Sequence, residues 1–416
     1  MDLSEHLFRR ESGRMVAALT RIFGVHNLAL AEDVVQDAFC RALELWKVRG
    51  MPENPSAWLM ATAKNRALDV VRRERTARTF APEMGRLLET EWTITPLVDE
   101  AFAAHAIHAE QLRMMFSCCD PRLSEEAQVA LILNILCGFG AAEIASAFLS
   151  GRAAIEKRIS RGKKVLASSR RLFDLADVEF ASRLSAVRRA LYLLFNEGYH
   201  GASGEEAVRA ELCGEAMRLT ALLREYPAAA TPATDALAAL MCLHAARLPA
   251  RIDSAGDLNS LAHQDRSRWD AGLLAEGLAL LERSAAGLEL TAYHLEAAIA
   301  AAHASARSVA ETDWESIVAL YDRLTDVAPS PVVALNRAIA VAERDGAERG
   351  LAELHAIAER ARLSSYPFYP AAVGELELRR GNPEGAREHF RAAVGLARNA
   401  TERRFLEKRL RCCGGP

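Results

Sequence analysis

The sequence contains no uncharged apolar run close to the roughly 18 residues that a helix needs to cross a membrane. Its N-terminal residues 1–10 are charged and lack the apolar stretch of a signal peptide, so we expect a cytoplasmic chain. Eight cysteines among 416 residues, four of them in two adjacent pairs, do not make a disulfide framework. These absences argue against a membrane protein, an exported protein and a disulfide-stapled domain.

Strand-like alternation rich in Val, Ile and Thr is also missing, whereas the helix formers Ala, Leu, Arg and Glu dominate. Apolar residues recur with helical spacing along nearly the whole chain. A length of 416 residues exceeds what one hydrophobic core usually holds. We therefore predict an all-α fold, in which two small helical domains precede a C-terminal helical-repeat domain.

Known catalytic motifs are absent as well. The sequence has no P-loop, no Rossmann fingerprint, no nucleophile elbow and no His-Glu-x-x-His zinc motif. The only concentration of candidate metal ligands comprises His105, His108, Cys118, Cys119 and Cys137. Because none of them has the paired C-x-x-C spacing of a zinc site, we expect buried thiols there. We predict a protein that is not an enzyme and holds no metal or cofactor.

Charge is distributed unevenly along the chain. Residues 1–171 carry 24 Lys and Arg against 21 Asp and Glu, and residues 172–416 carry 28 against 34. Six basic and two acidic residues lie in 64–78, and eight basic and one acidic in 152–171. Residues 79–110, between these clusters, have six acidic residues and one basic. Two basic clusters around an acidic spacer indicate two separate contacts with a polyanion, although either cluster alone also fits a solvated helix face.

The strongest local pattern is a helix-turn-helix between residues 138 and 166. A short helix at 141–148 precedes a turn and a second helix at 152–165, whose inner face is Ile155, Ile159 and Gly162. The second helix of such a motif can enter the major groove of DNA. Its predicted DNA-binding residues are Arg152, Glu156, Lys157, Arg158, Ser160, Arg161, Lys163 and Lys164.

Within this set, the sequence separates readers of bases from contacts to phosphate. Glu156, Lys157, Ser160 and Arg161 share one stripe of the helix, and we expect them at base edges. The remaining lysines, Lys163 and Lys164, suit phosphates. An ordinary basic helical hairpin is the alternative interpretation of this segment.

Two helical units joined by an acidic segment, with a helix-turn-helix in the second, resemble an RNA polymerase sigma factor of the extracytoplasmic-function (ECF) class. Residues 31–39 (AEDVVQDAF) are similar to the part of these factors that grips the polymerase, and residues 55–74 to their −10 promoter-reading helix. Five further segments resemble the ECF subgroup with a long tetratricopeptide-like C-terminal extension: 112–123, 192–199, 264–269, 312–314 and 329–337. With them the resemblance spans nearly the whole chain.

The resemblance implies specific roles for residues of the first unit. The residues implied to bind core RNA polymerase, through its β′ clamp helices and β subunit, are Asp33, Gln36, Asp37 and Phe39. The residues implied to bind the −10 element are Lys64, Asn65, Arg66, Asp69, Arg72 and Arg73. Among these, Asn65 and Asp69 are short polar groups that can bond an extruded base, whereas the basic residues suit phosphates.

The resemblance also implies a division of the chain. Residues 1–78 would be sigma region 2, 79–109 an acidic linker, and 110–172 sigma region 4, which reads the −35 element. Residues 173–416 would be a tetratricopeptide-like extension that regulates the factor and binds an unidentified protein or ligand. The chain as a whole would bind promoter DNA and direct promoter-specific transcription initiation.

Two rival interpretations come from other classes of protein. The first is a helical-repeat adaptor whose N-terminal basic hairpins bind nucleic acid without specificity. The second is an enzyme in the extension, with Glu197 and His200, or Asp265 and Arg266, as a catalytic pair. For these polar residues we favour a buried network that pins helix to helix.

Overall fold

The computed structural model of the chain is built from α-helices. The structure describes residues 3–73, 91–147, 150–169, 172–175, 179–200, 208–253 and 256–414. These residues form no β-strand, only an isolated bridge between Ile252 and Leu258, so the all-α prediction is confirmed. By its internal contacts the chain divides into two compact units, Met1–Leu194 and Phe195–Pro416. Within the described parts, no helix is long and apolar enough to span a bilayer.

The first unit is built from helices that we number in chain order. They are α1 (Leu3–Phe23), α2 (Leu28–Arg49), α3 (Pro55–Arg73), α4 (Glu91–Ala101), α5 (Ala104–Cys118), α6 (Glu125–Ile135), α7 (Ala141–Ala147), α8 (Arg152–Ser168) and α9 (Phe180–His200). A 3₁₀ turn, Val25–Asn27, joins α1 to α2. The division between the two units falls within α9.

Helix α1 is longer than its apolar pattern indicates, since that pattern begins only at Arg14. Glu11 is fully buried, and both Arg10 and Arg14 donate hydrogen bonds to its carboxylate, at 3.1 and 2.9 Å. Two residues further on, Gly13 lies against the backbone of Leu136. The buried acid Glu11 and the glycine Gly13 interrupt the helical spacing of apolar residues. For this reason the sequence pattern does not predict the first half of the helix.

The start of α3 has two candidate capping residues, Asn54 and Ser56, and Ser56 does not cap the helix. Instead, the side-chain oxygen of Asn54 accepts a hydrogen bond from the backbone N–H of Ala57 at 3.0 Å. Pro55, which has no N–H to satisfy, is the first helical residue. Ser56 Oγ accepts a hydrogen bond from Arg14 of α1 at 3.5 Å.

Part of the predicted linker is helical. Residues 79–90 lie outside the described residues, but residues 91–101 form α4, which packs on α1 and α3. Val98 and Ala101 of α4 are fully buried. This helix has only about three turns and contains Pro96, so its apolar residues show too little helical periodicity to predict it from the sequence.

The two promoter-binding parts predicted within the first unit pack directly on one another. Helix α5 packs along α1, and the 3₁₀ turn Val25–Asn27 packs on α8. At the closest approach, a Cβ added to Gly13 would lie 2.0 Å from the backbone oxygen of Leu136. Only glycine permits α1 to come this near to the end of α6.

The first unit extends beyond residue 172, where the sequence places the start of the extension. The ring of Phe116 stacks on Phe173 and Phe180, with centroids 5.9 and 4.4 Å apart. Arg183 lies over the Phe173 ring at 4.2 Å and donates a hydrogen bond to the Phe116 carbonyl. These contacts join the start of α9 to α5, so the compact unit ends at Leu194.

In the second unit, helices follow one another along the chain and pack on their neighbours. They are α10 (Ala210–Glu225), α11 (Pro232–Ala245), α12 (Leu248–Arg251), α13 (Ala271–Ser284), α14 (Ala292–Ser305), α15 (Trp314–Val327), α16 (Pro331–Asp345), α17 (Ala347–His355), α18 (Phe368–Arg379), α19 (Pro383–Gly395) and α20 (Ala400–Arg411). Leu295, Ile317 and Val341 form one core between α14, α15 and α16. The tetratricopeptide-like repeat stays a prediction.

Candidate nucleic-acid interface

The helix-turn-helix predicted from the sequence consists of α7 and α8. Ile155, Ile159 and Leu166 of α8 are buried, as an inner face requires. Gly162 faces α6, where an added Cβ would lie 2.6 Å from Leu131 Cδ1. Phe148, the last residue of the short helix that the sequence predicts at 141–148, lies outside the described residues.

The predicted DNA-binding side chains of α8 occupy its outer surface. The exposed ones are Arg152, Glu156, Lys157, Ser160, Arg161 and Lys164, and the half-buried ones are Arg158 and Lys163. The Arg152 guanidinium contacts the Glu156 carboxylate at 2.8 Å, one helical turn away. Such an exposed pair contributes only about 0.3–0.5 kcal/mol, so DNA can displace it at little cost.

One face of α8 turns toward α2. The Lys163 ammonium lies 2.6 Å from the Glu32 carboxylate, and each side chain is 28% exposed. A cleft of about 500 Å³ separates the two helices, and Ser160 and Lys164 also line it. This volume is typical of a small-molecule pocket. Lys163 is engaged by Glu32, whereas Ser160 and Lys164 remain exposed.

Helix α3 presents the side chains assigned to the −10 element in two different states. Asn65 and Asp69 are exposed. Lys64 is half-buried and its ammonium lies 2.6 Å from the Asp99 carboxylate of α4. Arg66 is also half-buried, with its Nε 2.9 Å from Asp37 of α2. Thus both basic side chains described here are paired with acids of other helices.

The last two residues assigned to the −10 element, Arg72 and Arg73, belong to the end of α3. Their side chains lie outside the described residues.

The residues assigned to polymerase binding divide in a similar way on α2. Asp33, Gln36 and Asp37 are exposed, and they form the acidic-polar stripe that the sequence indicates. Phe39 is half-buried because its ring stacks on Phe8, with centroids 4.6 Å apart. Asp33, Gln36 and one edge of an aromatic cluster are therefore available to a partner at this surface, whereas Asp37 is engaged by Arg66.

Sequence reasoning missed the charged contacts that join α1 to the second half of the first unit. Arg9 pairs with Glu143 of α7 at 2.8 Å and lies over the ring of Phe139 at 5.4 Å. Arg21 faces the buried Glu110 of α5 at 3.6 Å. In the sequence, these contacts are indicated only by charged residues at helical positions where an apolar residue is expected. Such a residue does not identify its partner, which here lies about a hundred residues away in the chain.

The candidate metal ligands are divided between the interior and the surface. Cys118, Cys119 and Cys137 are buried, whereas His105 and His108 are exposed. Burial raises the pKa of the Cys119 thiol to about 12, which disfavours the thiolate that a metal binds. Among the described residues, no three His, Cys, Asp or Glu side chains are placed to hold a metal ion.

Asp120 closes the turn after α5. Its carboxylate accepts hydrogen bonds from Arg122 Nε and Nη2, at 2.9 and 2.8 Å. These bonds are the main cause that lowers the pKa of the Asp120 carboxyl. The side chain thus holds a local turn.

The polar residues considered as catalytic pairs in the extension contact other groups. The Glu197 carboxylate accepts a hydrogen bond from Arg209 at 2.7 Å, and both side chains are 6% exposed. Asp265 accepts hydrogen bonds from the backbone N–H and the hydroxyl of Ser267, and so caps a 3₁₀ turn. Arg266 donates to the backbone carbonyl of His303 at 2.6 Å.

Similarity to known proteins covers both units. Residues 7–77, which include α2 and α3, match the family described as Sigma-70 region 2. Residues 183–285 match a family of unknown function, DUF6596. No solved structure is significantly similar to the chain. Over 397 residues the chain is 40% identical to "Uncharacterized protein R00370" of Rhizobium meliloti (strain 1021), an alignment that covers 95% of this chain and 92% of that protein. The chain therefore belongs to the same family as R00370, with a sigma-70 region 2 in its N-terminal part and a DUF6596 segment after it.

Proposed function

We propose that the chain is a sigma factor that binds core RNA polymerase and directs promoter-specific initiation. The observation that carries the proposal is the match of residues 7–77 to sigma-70 region 2. This match includes the exposed polar stripe of α2 and the exposed Asn65 and Asp69 of α3. A helix-turn-helix with a cationic outer surface follows in the same compact unit.

In this proposal the parts of the chain have separate tasks. Residues 1–78 contact the polymerase and open the −10 element, and residues 110–172 read the −35 element through α8. The binding free energy opens the duplex, while the chemistry belongs to the polymerase. The extension regulates the factor, as in the ECF subgroup with a C-terminal extension.

The contacts of the first unit support a closed state of the free factor. Three side chains assigned to DNA are paired with acids of other helices: Lys64 with Asp99, Arg66 with Asp37, and Lys163 with Glu32. A phosphate backbone would have to displace these acids. We propose that the −10 and −35 readers separate when the factor joins the polymerase.

Run-off transcription tests the proposed function. Purified full-length protein is added to core polymerase with a template that carries the DNA upstream of its own gene. A sigma factor is expected to produce a discrete transcript that neither component makes alone. Transcription that never depends on the added protein, together with salt-sensitive DNA binding of equal strength on unrelated sequences, would favour the adaptor.

Replacing Asn65 by alanine separates promoter opening from polymerase binding. The side chain is exposed, so we expect stability to change by no more than about 0.5 kcal/mol. Open-complex formation, followed by permanganate reactivity of unpaired thymines, should fall by about tenfold or more because a contact to an extruded base is lost.

The matched control is Asp33→Ala on α2, which should weaken binding to core polymerase instead. Weakened core binding by Asn65→Ala together with normal opening would contradict the assignment of α3.

A further inference from the structure

Three arginines of the second unit gather around aromatic rings. Arg251 lies 4.0 Å above the ring of Tyr199. Arg247 and Arg266 both lie over Trp269, at 5.6 and 5.0 Å from its ring centroid. These side chains come from the end of α9, the region around α12 and the 3₁₀ turn after it. We call Arg247, Arg251 and Arg266 the arginine cluster.

Two histidines complete the surroundings of the arginine cluster. The His244 ring packs edge-on against Tyr199, with centroids 5.0 Å apart. His303 supplies the backbone carbonyl to which Arg266 donates. All of these groups belong to the second unit, and α14 brings His303 from a distant part of the sequence.

No carboxylate of the described residues forms an ion pair with the arginine cluster, and the charge of Glu311 only partly offsets the lowering of the Arg266 pKa by burial. Arg247 is only 9% exposed, and its Nε donates to a neutral acceptor, Gln264 Oε1, at 3.3 Å. The acceptors of Arg266 are the backbone carbonyls of His303 and Ala306. No ion pair within 4.0 Å involves any of the three arginines in the described parts of the chain.

The same unit pairs the buried Arg209 and the half-buried Arg398 with acids. Arg209 lies 2.7 Å from Glu197, and Arg398 is bonded to the buried Glu402. The cluster is therefore an exception within its own fold. Burial lowers the pKa of the Arg247 guanidinium, and the like charges of Arg251 and Arg266 lower it further against an opposing contribution from Tyr199.

Buried polar atoms without hydrogen-bond partners lie at the same place. The buried polar atoms near the cluster that lack a hydrogen-bond partner are Tyr199 OH, His244 Nδ1, Arg251 Nε, Arg266 Nη2, Trp269 Nε1 and His303 Nδ1. Tyr199 is 2% exposed and Trp269 6% exposed. Buried donors are normally satisfied, and a buried unpaired charge is strongly destabilising. A set of cations and unpartnered polar atoms with no carboxylate in ion-pair contact has the character of an anion-binding site.

We propose that the arginine cluster binds the oxyanion group, phosphate or carboxylate, of a small ligand. Guanidinium groups match both anions through paired N–H donors, and the indole and phenol can donate to the same oxygens. The site lies mostly in the DUF6596 segment, residues 183–285. It goes beyond the proposed sigma-factor role and does not depend on it.

Calorimetric titration of the full-length chain tests the site. Inorganic phosphate and acetate are titrated separately, and chloride at matched ionic strength serves as the nonspecific control. We expect saturable binding at one site by phosphate or by acetate, which identifies the anion class. The Arg251→Met variant should weaken that binding by about tenfold or more, since a charged hydrogen-bond donor is lost.

Three further variants make the outcome decisive. Arg344→Met, at a partly exposed arginine paired with Asp345, should leave anion affinity unchanged. Arg251→Lys keeps the positive charge but loses the paired N–H donors of the guanidinium, so we expect an intermediate anion affinity. If Arg251→Met fails to fold, the Arg251→Lys variant decides the test. Without anion, the Arg251→Met variant should melt at or above the wild-type temperature, because it removes a charge that has no ion-pair partner. The Arg209→Met variant should melt at a lower temperature, because it leaves the buried carboxylate of Glu197 unpaired.

Two results would overturn the proposal. One is that neither oxyanion binds more strongly than chloride. The other is that binding occurs but is equal in the Arg251 and Arg344 variants. Because the titration contains neither polymerase nor DNA, a failed run-off experiment and a failed titration are independent results.

Discussion

Replacing Gly13 by valine is expected to force apart the two halves of the first unit. A Cβ at this position would lie 2.0 Å from the backbone oxygen of Leu136, and a backbone atom cannot rotate away as a side chain can. Overpacking of this kind costs about 1–3 kcal/mol or more. We expect a lower melting temperature and, in the fraction that stays folded, tighter binding of α8 to DNA because Lys163 is released from Glu32.

Gly214→Ala is the matched control for this experiment. Gly214 is an exposed residue of α10, and an added Cβ would meet nothing within 4 Å. Alanine should therefore stabilise this helix by about 0.5–1 kcal/mol. If the Gly13→Val protein melts like the wild type and binds DNA equally well, α1 and α6 are not in contact in solution.

Acidification from pH 6.5 to pH 4 is expected to remove about 3 kcal/mol of folding stability through His303 alone. Burial, and then the charges of Arg247 and Arg266, lower the pKa of this imidazole to about 4 in the folded chain. Its pKa in the unfolded chain is about 6.5. Between these values the unfolded state binds a proton that the folded state does not, so stability falls as the pH falls.

The pKa of His244 is lowered as well, so this residue should make folding stability fall more steeply as the pH falls. Burial is the main cause of its lowered pKa, followed by the charges of Arg247, His200, Arg251 and His303. Urea unfolding of wild type and His303→Gln at pH 6.5 and pH 4 isolates the contribution of His303 from that of the carboxyl groups. The variant should lose about 3 kcal/mol less than the wild type over this range. Equal losses would mean that the His303 imidazole is solvated.

The sequence predicted the all-α class and the helix-turn-helix well, because both depend on local periodicity. Ile155, Ile159 and Gly162 repeat with helical spacing and are buried as expected. Boundaries were less predictable. Asn54 and Ser56 lie two positions apart and are both good N-capping residues. Which of them caps α3 depends on the three-dimensional path of the chain, and in the structure it is Asn54.

Contacts between distant residues could not be read from the sequence. Glu11 and Glu110 look like solvent-facing acids, yet both are buried against arginines. The polar segment 264–269 interrupts otherwise apolar helical sequence, which predicts a buried network that pins helix to helix. Its position beside Arg247 and Arg251, without an acid to pair them, depends on how several helices meet and has no sequence signature.

The acidic side of α2 holds two of the chain's own cations, Lys163 through Glu32 and Arg66 through Asp37. A basic protein surface that takes these carboxylates therefore releases both cations in the same step. Association with such a partner and availability of the cations to nucleic acid are then linked equilibria, and each promotes the other. Under the proposed function, the internal pairing of these charges in the unbound chain would weaken its binding to bulk chromosomal phosphate before it meets that partner.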